Sequence, residues 1–287
     1  DNVISGHSKA GIRVWDHGNP SVSRNTISDC LECGVIVCDH GQGVFESNIV
    51  RGNTIAGCQV TTNGNPTLTG NTLKDNMGPG ILVSTQGNGT FKDNSISANH
   101  ESGVTICELG TPTLVNNRIF DGQKYGIHVH SAGKGNIEDN EVFGNASAGV
   151  NVMGLDTTPT LTANTIRNGH SVGVVVSDCA NPQLQRNTIV SNPVANVEVH
   201  TNGDPHLSEI TIASGLDFGI WLHDAGLGTF NANVVHSNVK AGLQAETSAA
   251  PNVSTNTFKD GVSVAVCVCH EGLGTFNDNK FTANHHA

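Results

Sequence analysis

The only tyrosine of the chain lies in a short segment that also contains a lysine and two histidines. Lys124 and Tyr125 are adjacent, and His128 and His130 follow in an alternating pattern. An imidazole can accept a proton, a phenol can donate one, and an ammonium group can neutralise a carboxylate. Together these groups could remove a proton from a carbon next to a carboxylate. The sequence predicts no catalytic site outright, but these four residues are its candidates for one.

Thiol and imidazole side chains recur at matching places along the chain, which raises the question of a metal site. Such side chains can bind zinc or copper, and Cys30 and Cys33 have the spacing of a zinc or redox pair without a second pair. A straight column of ligands does not converge on one ion, so we predict no metal and no other cofactor. The columns considered contain Cys107, His130 and Met153 in one case, and His200, His223, Glu246 and Cys269 in the other.

Both tryptophans of the chain fall among side chains that are expected to face outward from one strand of each repeat. Exposed aromatic and mixed polar groups are typical of a binding surface. The alternative is a wide sheet that carries scattered polar side chains and has no ligand. We predict a binding face that contains Arg13, Trp15, His128, His130, Met153, His200, Trp221 and His223.

All of these residues belong to an internal repeat of 23 residues. A glycine followed by two alternating apolar residues opens most units, and one extra residue within Met153–Thr158 shifts the register once. Such alternation is typical of a strand, and a register that returns throughout the chain indicates a solenoid. The units open at Gly11, Gly34, Gly57, Gly80, Gly103, Gly126, Gly149, Gly173, Asn196, Gly219, Gly242 and Ala265.

Each unit has two further apolar positions and an asparagine two residues before the last of them. Residues at one position would stack about 4.8 Å apart on neighbouring coils, and stacked amides can bond to each other because an amide both donates and accepts. The sequence therefore predicts an all-β fold, a single-stranded right-handed parallel β-helix of about twelve 23-residue coils with an internal asparagine ladder. Ile210 breaks the ladder, which contains Asn25, Asn48, Asn71, Asn94, Asn117, Asn140, Asn164, Asn187, Asn233, Asn256 and Asn279.

Asparagine or glycine also recurs five positions after the ladder residue, as at Asn53 and Gly122. We assign this column to left-handed turns, which these residues tolerate. A leucine-rich repeat is the alternative fold, but proline or glycine occupies the place of its central strand leucine, and no segment has helical periodicity. We predict one β-helix domain over 1–287, as a fragment of a longer chain.

Charge and composition argue against several classes of partner. The net charge is −11 without a lysine–arginine cluster, which disfavours nucleic acid and an anionic membrane as partners. No apolar stretch approaches the roughly 18 residues that span a bilayer. The eight cysteines do not resemble the framework of a small secreted domain, so we expect an intracellular location, cytoplasmic or nuclear. Three glycosylation sequons leave secretion open.

The paired coils GIHVHSAGKGNIEDNEVFGNASAGVNV and TPTLTANTIRNGHSVGVVV resemble the substrate-side β-helix of F-box-only proteins of the "eleven" type. This resemblance covers the whole chain and implies recognition of proteins for ubiquitylation, although the sequence contains no visible F-box. A wider resemblance includes carbohydrate-active right-handed β-helix proteins. The residue types between Lys124 and His130 are similar to those of uronate-polymer lyases and epimerases.

We therefore expect a protein-recognition or scaffold module, as in the substrate-recognition part of a ubiquitin ligase, with a protein as its partner. One alternative is a carbohydrate-binding β-helix or a polyuronate lyase or epimerase, whose partner would be a polysaccharide. Another is a structural spacer. An enzyme is the less favoured interpretation, since likeness of fold does not determine function.

Overall fold

The computed structural model describes residues 1–285, and the regular structure there consists of short β-strands. The chain divides into two compact units, Asp1–Ala146 (unit 1) and Ser147–Ala287 (unit 2). Each unit is a right-handed parallel β-solenoid, and the chain has about 12 turns, which confirms the predicted fold class. The assignment of 1–287 to one domain stays a prediction. Within the described residues, no helix is long and apolar enough to span a membrane.

Unit 1 repeats a coil of three short strands joined by tight turns. Each strand pairs in parallel with the strand three places further along the chain, so the unit has three parallel sheets. Its strands are β1 (Val3–Ser5), β2 (Ile12–Val14), β3 (Ser21–Ser23), β4 (Thr26–Ser28), β5 (Cys33–Val37), β6 (Val44–Glu46), β7 (Ile49–Arg51), β8 (Ala56–Val60), β9 (Thr67–Thr69), β10 (Thr72–Lys74), β11 (Ile81–Val83), β12 (Thr90–Lys92), β13 (Ser95–Ser97), β14 (Val104–Ile106), β15 (Thr113–Val115), β16 (Arg118–Phe120), β17 (Ile127–Val129), β18 (Asn136–Glu138) and β19 (Glu141–Phe143).

Unit 2 has the same construction, with three parallel sheets built from every third strand. Its strands are β20 (Val150–Met153), β21 (Thr160–Thr162), β22 (Thr165–Arg167), β23 (Val174–Ser177), β24 (Gln183–Gln185), β25 (Thr188–Val190), β26 (Ala195–Val199), β27 (His206–Ser208), β28 (Thr211–Ala213), β29 (Phe218–Leu222), β30 (Thr229–Asn231), β31 (Val234–His236), β32 (Leu243–Ala245), β33 (Asn252–Ser254), β34 (Thr257–Lys259), β35 (Val266–Val268), β36 (Thr275–Asn277) and β37 (Lys280–Thr282).

The pairing register follows the sequence repeat. In unit 1, Ile12 pairs with Val35, an offset of 23 residues. In unit 2, Val150 pairs with Val174, an offset of 24, because the extra residue lies in the turn after Met153. The next pair in that sheet has an offset of 23 again. A slip by one residue would turn every apolar side chain outward, so the apolar pattern fixes this register.

Apolar columns fill the interior of each unit. In unit 1, Ile81, Val83, Phe91 and Ile96 come from the three strands of one coil, and none of them is exposed. Burial of such a side chain contributes about 1.5–3 kcal/mol. A single coil leaves its two faces open, and the coils stacked on it cover them. Repetition of this layer gives the chain a core although only 4 % of its residues are aromatic.

The predicted asparagine ladder is present in both units. In unit 1, the backbone N–H and Nδ2 of Asn71 both donate to Oδ1 of Asn94, at 2.9 and 3.0 Å, and Nδ2 also donates to the carbonyl of Phe45. These buried amides are therefore satisfied, which avoids a cost of about 1–3 kcal/mol for each unpaired group. In unit 2, Ile210 interrupts the ladder. Its N–H donates to Oδ1 of Asn233 at 2.9 Å, but its side chain has no oxygen for the preceding coil.

A second amide ladder replaces the left-handed column that we predicted from Asn53 and its equivalents. That assignment is wrong, since the positive φ falls one residue earlier, at Gly52 (66°) and Asp75 (55°). Asn53 and Asn76 are fully buried, and Nδ2 of Asn53 donates to Oδ1 of Asn76 at 3.0 Å. Two amide columns therefore stabilise two turns of the coil.

Candidate functional site

The residues of the predicted binding face lie at the second and fourth positions after the repeat glycine, in the strand that follows it or at the end of that strand, whereas Lys124 and Tyr125 directly precede Gly126. Contacts between these positions run diagonally from coil to coil. The second position of one coil meets the fourth position of the next, 25 residues later, as for Arg13 with Cys38 in unit 1 and Trp221 with Glu246 in unit 2. Side chains on a strand lean along the strand direction, which explains this offset.

In unit 1, Tyr125, His128 and His130 form one group of rings, here named the tyrosine–histidine cluster. The centroid of the His128 ring lies 4.8 Å from that of Tyr125 and 4.4 Å from that of His130. His128 is the central residue of β17. His130 follows this strand, and its Nδ1 lies 2.9 Å from Oγ of Ser131, the first of two left-handed turn residues.

Burial keeps the imidazoles of the tyrosine–histidine cluster neutral. Desolvation, with a smaller contribution from His130, lowers the pKa of His128 from 6.5 to about 4. Desolvation also lowers the pKa of His130. Nε2 of His128 is buried and has no hydrogen-bond partner among residues 1–285. A neutral imidazole with an unpaired nitrogen can act as a base at neutral pH.

A lysine–glutamate pair precedes this strand. Nζ of Lys124 donates to both carboxylate oxygens of Glu101, at 2.8 and 2.6 Å, and about half of each side chain is exposed. An exposed pair of this kind contributes at most about 1 kcal/mol to stability. The ammonium group next to Tyr125 can therefore exchange Glu101 for an incoming carboxylate at small cost.

In unit 2, Glu198, Trp221, His223 and Glu246 form a second group, here named the carboxylate–tryptophan cluster. Nε2 of His223 lies 3.0 Å from the carboxylate of Glu198, and Nδ1 lies 2.9 Å from that of Asp224. The bond to Glu198 is the main cause that raises the pKa of His223, against desolvation and with help from Asp224. Because both ring nitrogens face carboxylates, the charged imidazole is favoured.

Trp221 connects this imidazole with the second carboxylate of the cluster. The Trp221 and His223 ring centroids are 4.3 Å apart, and Nε1 of Trp221 donates to Glu246 at 2.9 Å. That bond is the largest contribution that lowers the pKa of Glu246. The Trp221 side chain is half-buried, and the His200 ring stacks on His223 at 5.1 Å. The cluster is thus an internally bonded network.

Arg13 and Trp15 lie together in the first coil of unit 1. The guanidinium of Arg13 is 6.0 Å from the Trp15 ring centroid and donates to Sγ of Cys38 at 3.8 Å. Trp15 is 56 % exposed. Met153 is half-buried at the end of β20 in unit 2. The predicted binding face therefore contains one widely exposed tryptophan and residues of two separate clusters. Within each cluster the rings contact one another.

Several partners of the candidate residues were absent from the predicted site. Glu101 lies 23 residues before Lys124, and Glu198 lies 25 residues before His223. Searching both offsets from each outward position would have found these two carboxylates. Asp224 was missed because it lies in the turn after the strand, where the alternating pattern ends.

Solved structures that match the chain include epimerases of polysaccharides. The periplasmic alginate epimerase AlgG matches with a TM-score of 0.67 and 11 % identity, over 86 % of this chain and 76 % of that chain. The mannuronan C-5 epimerase AlgE6 A-module of Azotobacter vinelandii has a TM-score of 0.61 and 13 % identity, over 97 % and 89 %. The Dettilon tailspike protein has a TM-score of 0.60 and 14 % identity, over 92 % and 61 %. No curated protein sequence matches the chain. At these identities the likeness shows the fold.

The expected role in protein recognition for a ubiquitin ligase is wrong. It rested on a resemblance to F-box-only proteins, whereas the matching structures are epimerases, a tailspike and the pectate lyase Pel9A. The glycines, aliphatic residues and asparagines behind that resemblance form the core and the ladders, so they carry information on fold and none on partner. A protein as the leading partner is unsupported as well.

The family described as right handed beta helix region matches residues 11–161 and 156–287. These two matches together include both ladders and all residues of the two clusters. The chain therefore belongs to the right-handed β-helix region family.

Proposed function

We propose that this protein acts on a uronate-containing polysaccharide and removes the proton at C5 of a sugar, next to its carboxylate. The observation that carries the proposal is the neutral imidazole of His128, whose Nε2 has no partner among residues 1–285. The alginate and mannuronan epimerases among the matching structures support the substrate class. Proton removal of this kind needs a neutral base, an acid and a positive charge near the carboxylate.

The tyrosine–histidine cluster and Lys124 supply one group for each of these tasks. Lys124 leaves Glu101 and neutralises the uronate carboxylate, which makes the C5 proton more acidic. His128 takes that proton, and the electron pair delocalises into the carboxylate. Tyr125 then returns a proton to C5 from the opposite face, which gives the epimer. Alternatively, the electron pair from C5 forms a double bond to C4 and the bond from C4 to the glycosidic oxygen breaks. Tyr125 then protonates that oxygen, and an unsaturated uronate results.

The cluster must open when substrate binds, because Nε2 of His128 is buried in the free protein. Tyr125 and His130 are only half-buried, so their rings can part without disturbing the apolar columns below β17. Entry of a sugar between the rings would exclude water from the base and strengthen the contact between Lys124 and the carboxylate.

The carboxylate–tryptophan cluster is the poorer choice for this chemistry. Both nitrogens of His223 already face carboxylates, which favour its charged form and leave neither nitrogen free to accept a proton from a sugar. Its acidic neighbours would also repel a uronate. The distribution of basic residues also supports an active site in unit 1, since nine of the 14 lysines and arginines lie in residues 1–146.

Incubation of the protein with polymannuronate, polyguluronate and polygalacturonate tests the proposal. The ultraviolet absorbance of unsaturated uronates reports elimination, and proton NMR of the polymer reports epimerisation. We expect conversion of at least one polymer, lost in His128→Gln and Tyr125→Phe. His17→Gln is the matched control, because His17 is an exposed imidazole of unit 1 outside the cluster. Wild-type protein without activity on all three polymers, or full activity in His128→Gln, contradicts the proposal.

Binding of a polysaccharide without turnover is the second candidate function. It is favoured by Trp15, which is 56 % exposed with the Arg13 guanidinium beside its ring. An exposed aromatic ring next to a cation suits an acidic sugar. In this case retention on immobilised polymer would fall in Trp15→Ala and remain unchanged in His128→Gln.

A further inference from the structure

A group of thiol, imidazole and carboxylate side chains converges in unit 2, outside the proposed active site. Glu246, Cys269 and His270 each offer a ligand atom, and these atoms all lie within 4.8 Å of one another. Cys267, two residues before Cys269 and at the centre of β35, adds a second thiol next to this group. These four residues are named the thiol cluster below.

The distances that Glu246 makes with Cys269 and His270 suit a tetrahedral ion. Sγ of Cys269 lies 3.8 Å from Oε2 of Glu246, and Nδ1 of His270 lies 3.4 Å from the same oxygen. With zinc–sulfur bonds of about 2.3 Å and zinc–nitrogen or zinc–oxygen bonds of about 2.0–2.1 Å, ligand atoms around zinc are about 3.3–3.8 Å apart. Little movement is therefore needed to bring these atoms around one ion.

The local backbone explains why the ligands converge although the sequence suggested a straight column. Cys267 is the centre of β35, and Cys269 projects from the same side two residues later. His270 then enters the turn with a φ of 45°, and its side chain bends back toward Glu246 on the preceding coil. The cluster thus takes its ligands from a strand, a turn and a neighbouring coil.

Two further side chains orient the carboxylate of this cluster. Nε1 of Trp221 holds Oε1 of Glu246 at 2.9 Å, and Nε2 of Gln244 lies 3.0 Å from Oε2. Glu246 is thereby fixed with Oε2 toward Cys269 and His270. Hydrogen bonds that orient a metal ligand in this way commonly raise affinity about 10–100-fold. The side chain of His270 is 80 % exposed, which leaves the ion a path from solvent.

We propose that Glu246, Cys267, Cys269 and His270 bind one Zn²⁺ ion that ties two successive coils of unit 2 together. Two thiolates, one imidazole and one carboxylate would supply the four ligands of a tetrahedral zinc ion, each of a type that binds zinc in proteins. This inference is independent of the proposed function, and it replaces the expectation of no metal that followed from straight columns.

Titration of the reduced full chain with Zn²⁺ and Cd²⁺ tests this site. Calorimetry should give one ion per chain with release of thiol protons, since metal binding deprotonates its cysteine ligands. Bound Cd²⁺ should show the ultraviolet band of two thiolates. We expect Cys269→Ser to weaken Zn²⁺ binding by more than about 100-fold and Trp221→Phe by about 10-fold, because Trp221 acts through Glu246.

Cys179→Ser is the matched control, since Cys179 is an exposed thiol of the same unit. We expect it to leave both the stoichiometry and the Cd²⁺ band unchanged. Circular dichroism checks that every variant is folded. Lack of stoichiometric Zn²⁺ binding by the folded wild-type chain, or an unaltered thiolate band in Cys269→Ser, overturns the proposal.

Discussion

His128 in unit 1 and His223 in unit 2 lie at the second and fourth positions after the repeat glycine, yet their surroundings favour opposite charge states. His128 is surrounded by the rings of Tyr125 and His130, and desolvation lowers its pKa to about 4. His223 lies between the carboxylates of Glu198 and Asp224, which raise its pKa. Both are outward side chains on three-stranded coils with an asparagine ladder inside, which Ile210 interrupts in unit 2.

The repeat therefore fixes the position of each outward side chain, while the residues around that side chain determine its charge state. Columns of aliphatic side chains and amides are present in both units, and they leave the outward positions free to vary. At His223, the carboxylate of Glu198, 25 positions earlier, favours the charged imidazole, whereas desolvation favours the neutral form at His128. In this solenoid a carboxylate on the adjacent coil outweighs the cost of desolvation at His223, whereas desolvation prevails at His128.

The sharpest test of the contrast exchanges each imidazole for an amide of similar size. If His128 is the base, His128→Gln should lower turnover of the polyuronate substrate by about 100-fold or more, the usual range for loss of a positioned base. His223→Gln should change turnover by less than about threefold, because His223 is outside the proposed active site. Initial rates at saturating polymer measure both, and equal losses in the two variants would remove the distinction.

Stability should respond in the reverse order. His223→Gln removes two bonds between a cation and carboxylates, so we expect it to lower the free energy of unfolding by about 1–3 kcal/mol at pH 6. His128→Gln removes no hydrogen bond of Nε2 and should cost less. Urea unfolding followed by circular dichroism compares the two. A larger loss of unfolding free energy for His128→Gln would show that the tyrosine–histidine cluster stabilises the fold by packing and is not an active site.

The two imidazoles should also give opposite pH dependences of stability. The folded-state pKa of His128 is below 6.5, so between pH 6.5 and about 4 the unfolded chain binds a proton that the folded chain lacks, and His128 lowers stability as the pH falls. The folded-state pKa of His223 is raised, so its contribution is fully present below pH 6.5 and is lost as the pH rises through that pKa.

The variants His128→Gln and His223→Gln each remove one of these pH dependences of stability. Relative to wild type, His128→Gln should gain stability on going from pH 7 to pH 4, and His223→Gln should recover stability on going from pH 6 to pH 8. Each change should be on the order of 1 kcal/mol, because solvent screens these partly exposed rings. Unfolding curves at four pH values would show them, and slopes of the same sign would contradict the opposite charge states.

The smallest expected effect concerns the exposed pair that competes with substrate. Glu101→Gln frees Lys124 and removes one negative charge next to the proposed site. We expect KM for the polyuronate to fall by up to about threefold with kcat unchanged, in line with the small energy of a surface pair. Lys124→Met should raise KM instead. A rise of KM in Glu101→Gln would indicate that Glu101 itself contacts the sugar.

The fold was predictable because its determinants are local and repeated. Glycine openings 23 residues apart gave the coil length, and Asn71, Asn94 and their equivalents gave the first ladder. The second ladder escaped prediction, since asparagine near a turn is compatible with a left-handed residue as well as a buried amide. The backbone angles at Gly52 and Asp75 and the hydrogen bond from Asn53 to Asn76 distinguish the two.

The site was predictable only in part. The sequence grouped Tyr125, His128 and His130, whose rings lie close together in the structure, but it treated the contacts between coils as straight columns. Diagonal contacts such as that of Trp221 with Glu246 depend on the direction in which long side chains extend along the strand. His270 contacts Glu246 from a turn, where the strand pattern does not apply. Charge states depend on burial and on partners one coil away, which one-dimensional spacing does not specify.

Isotope exchange tests most directly whether the neutral imidazole of His128 removes the C5 proton of a uronate. Polymannuronate incubated with the protein in D₂O should acquire deuterium at C5, detected by proton NMR and mass spectrometry of its hydrolysate. Wild-type protein and His17→Gln should both incorporate the label, and His128→Gln should not. Incorporation by His128→Gln at the wild-type rate, or a polymer that neither gains deuterium nor forms unsaturated uronate with the wild-type protein, would contradict this role of His128.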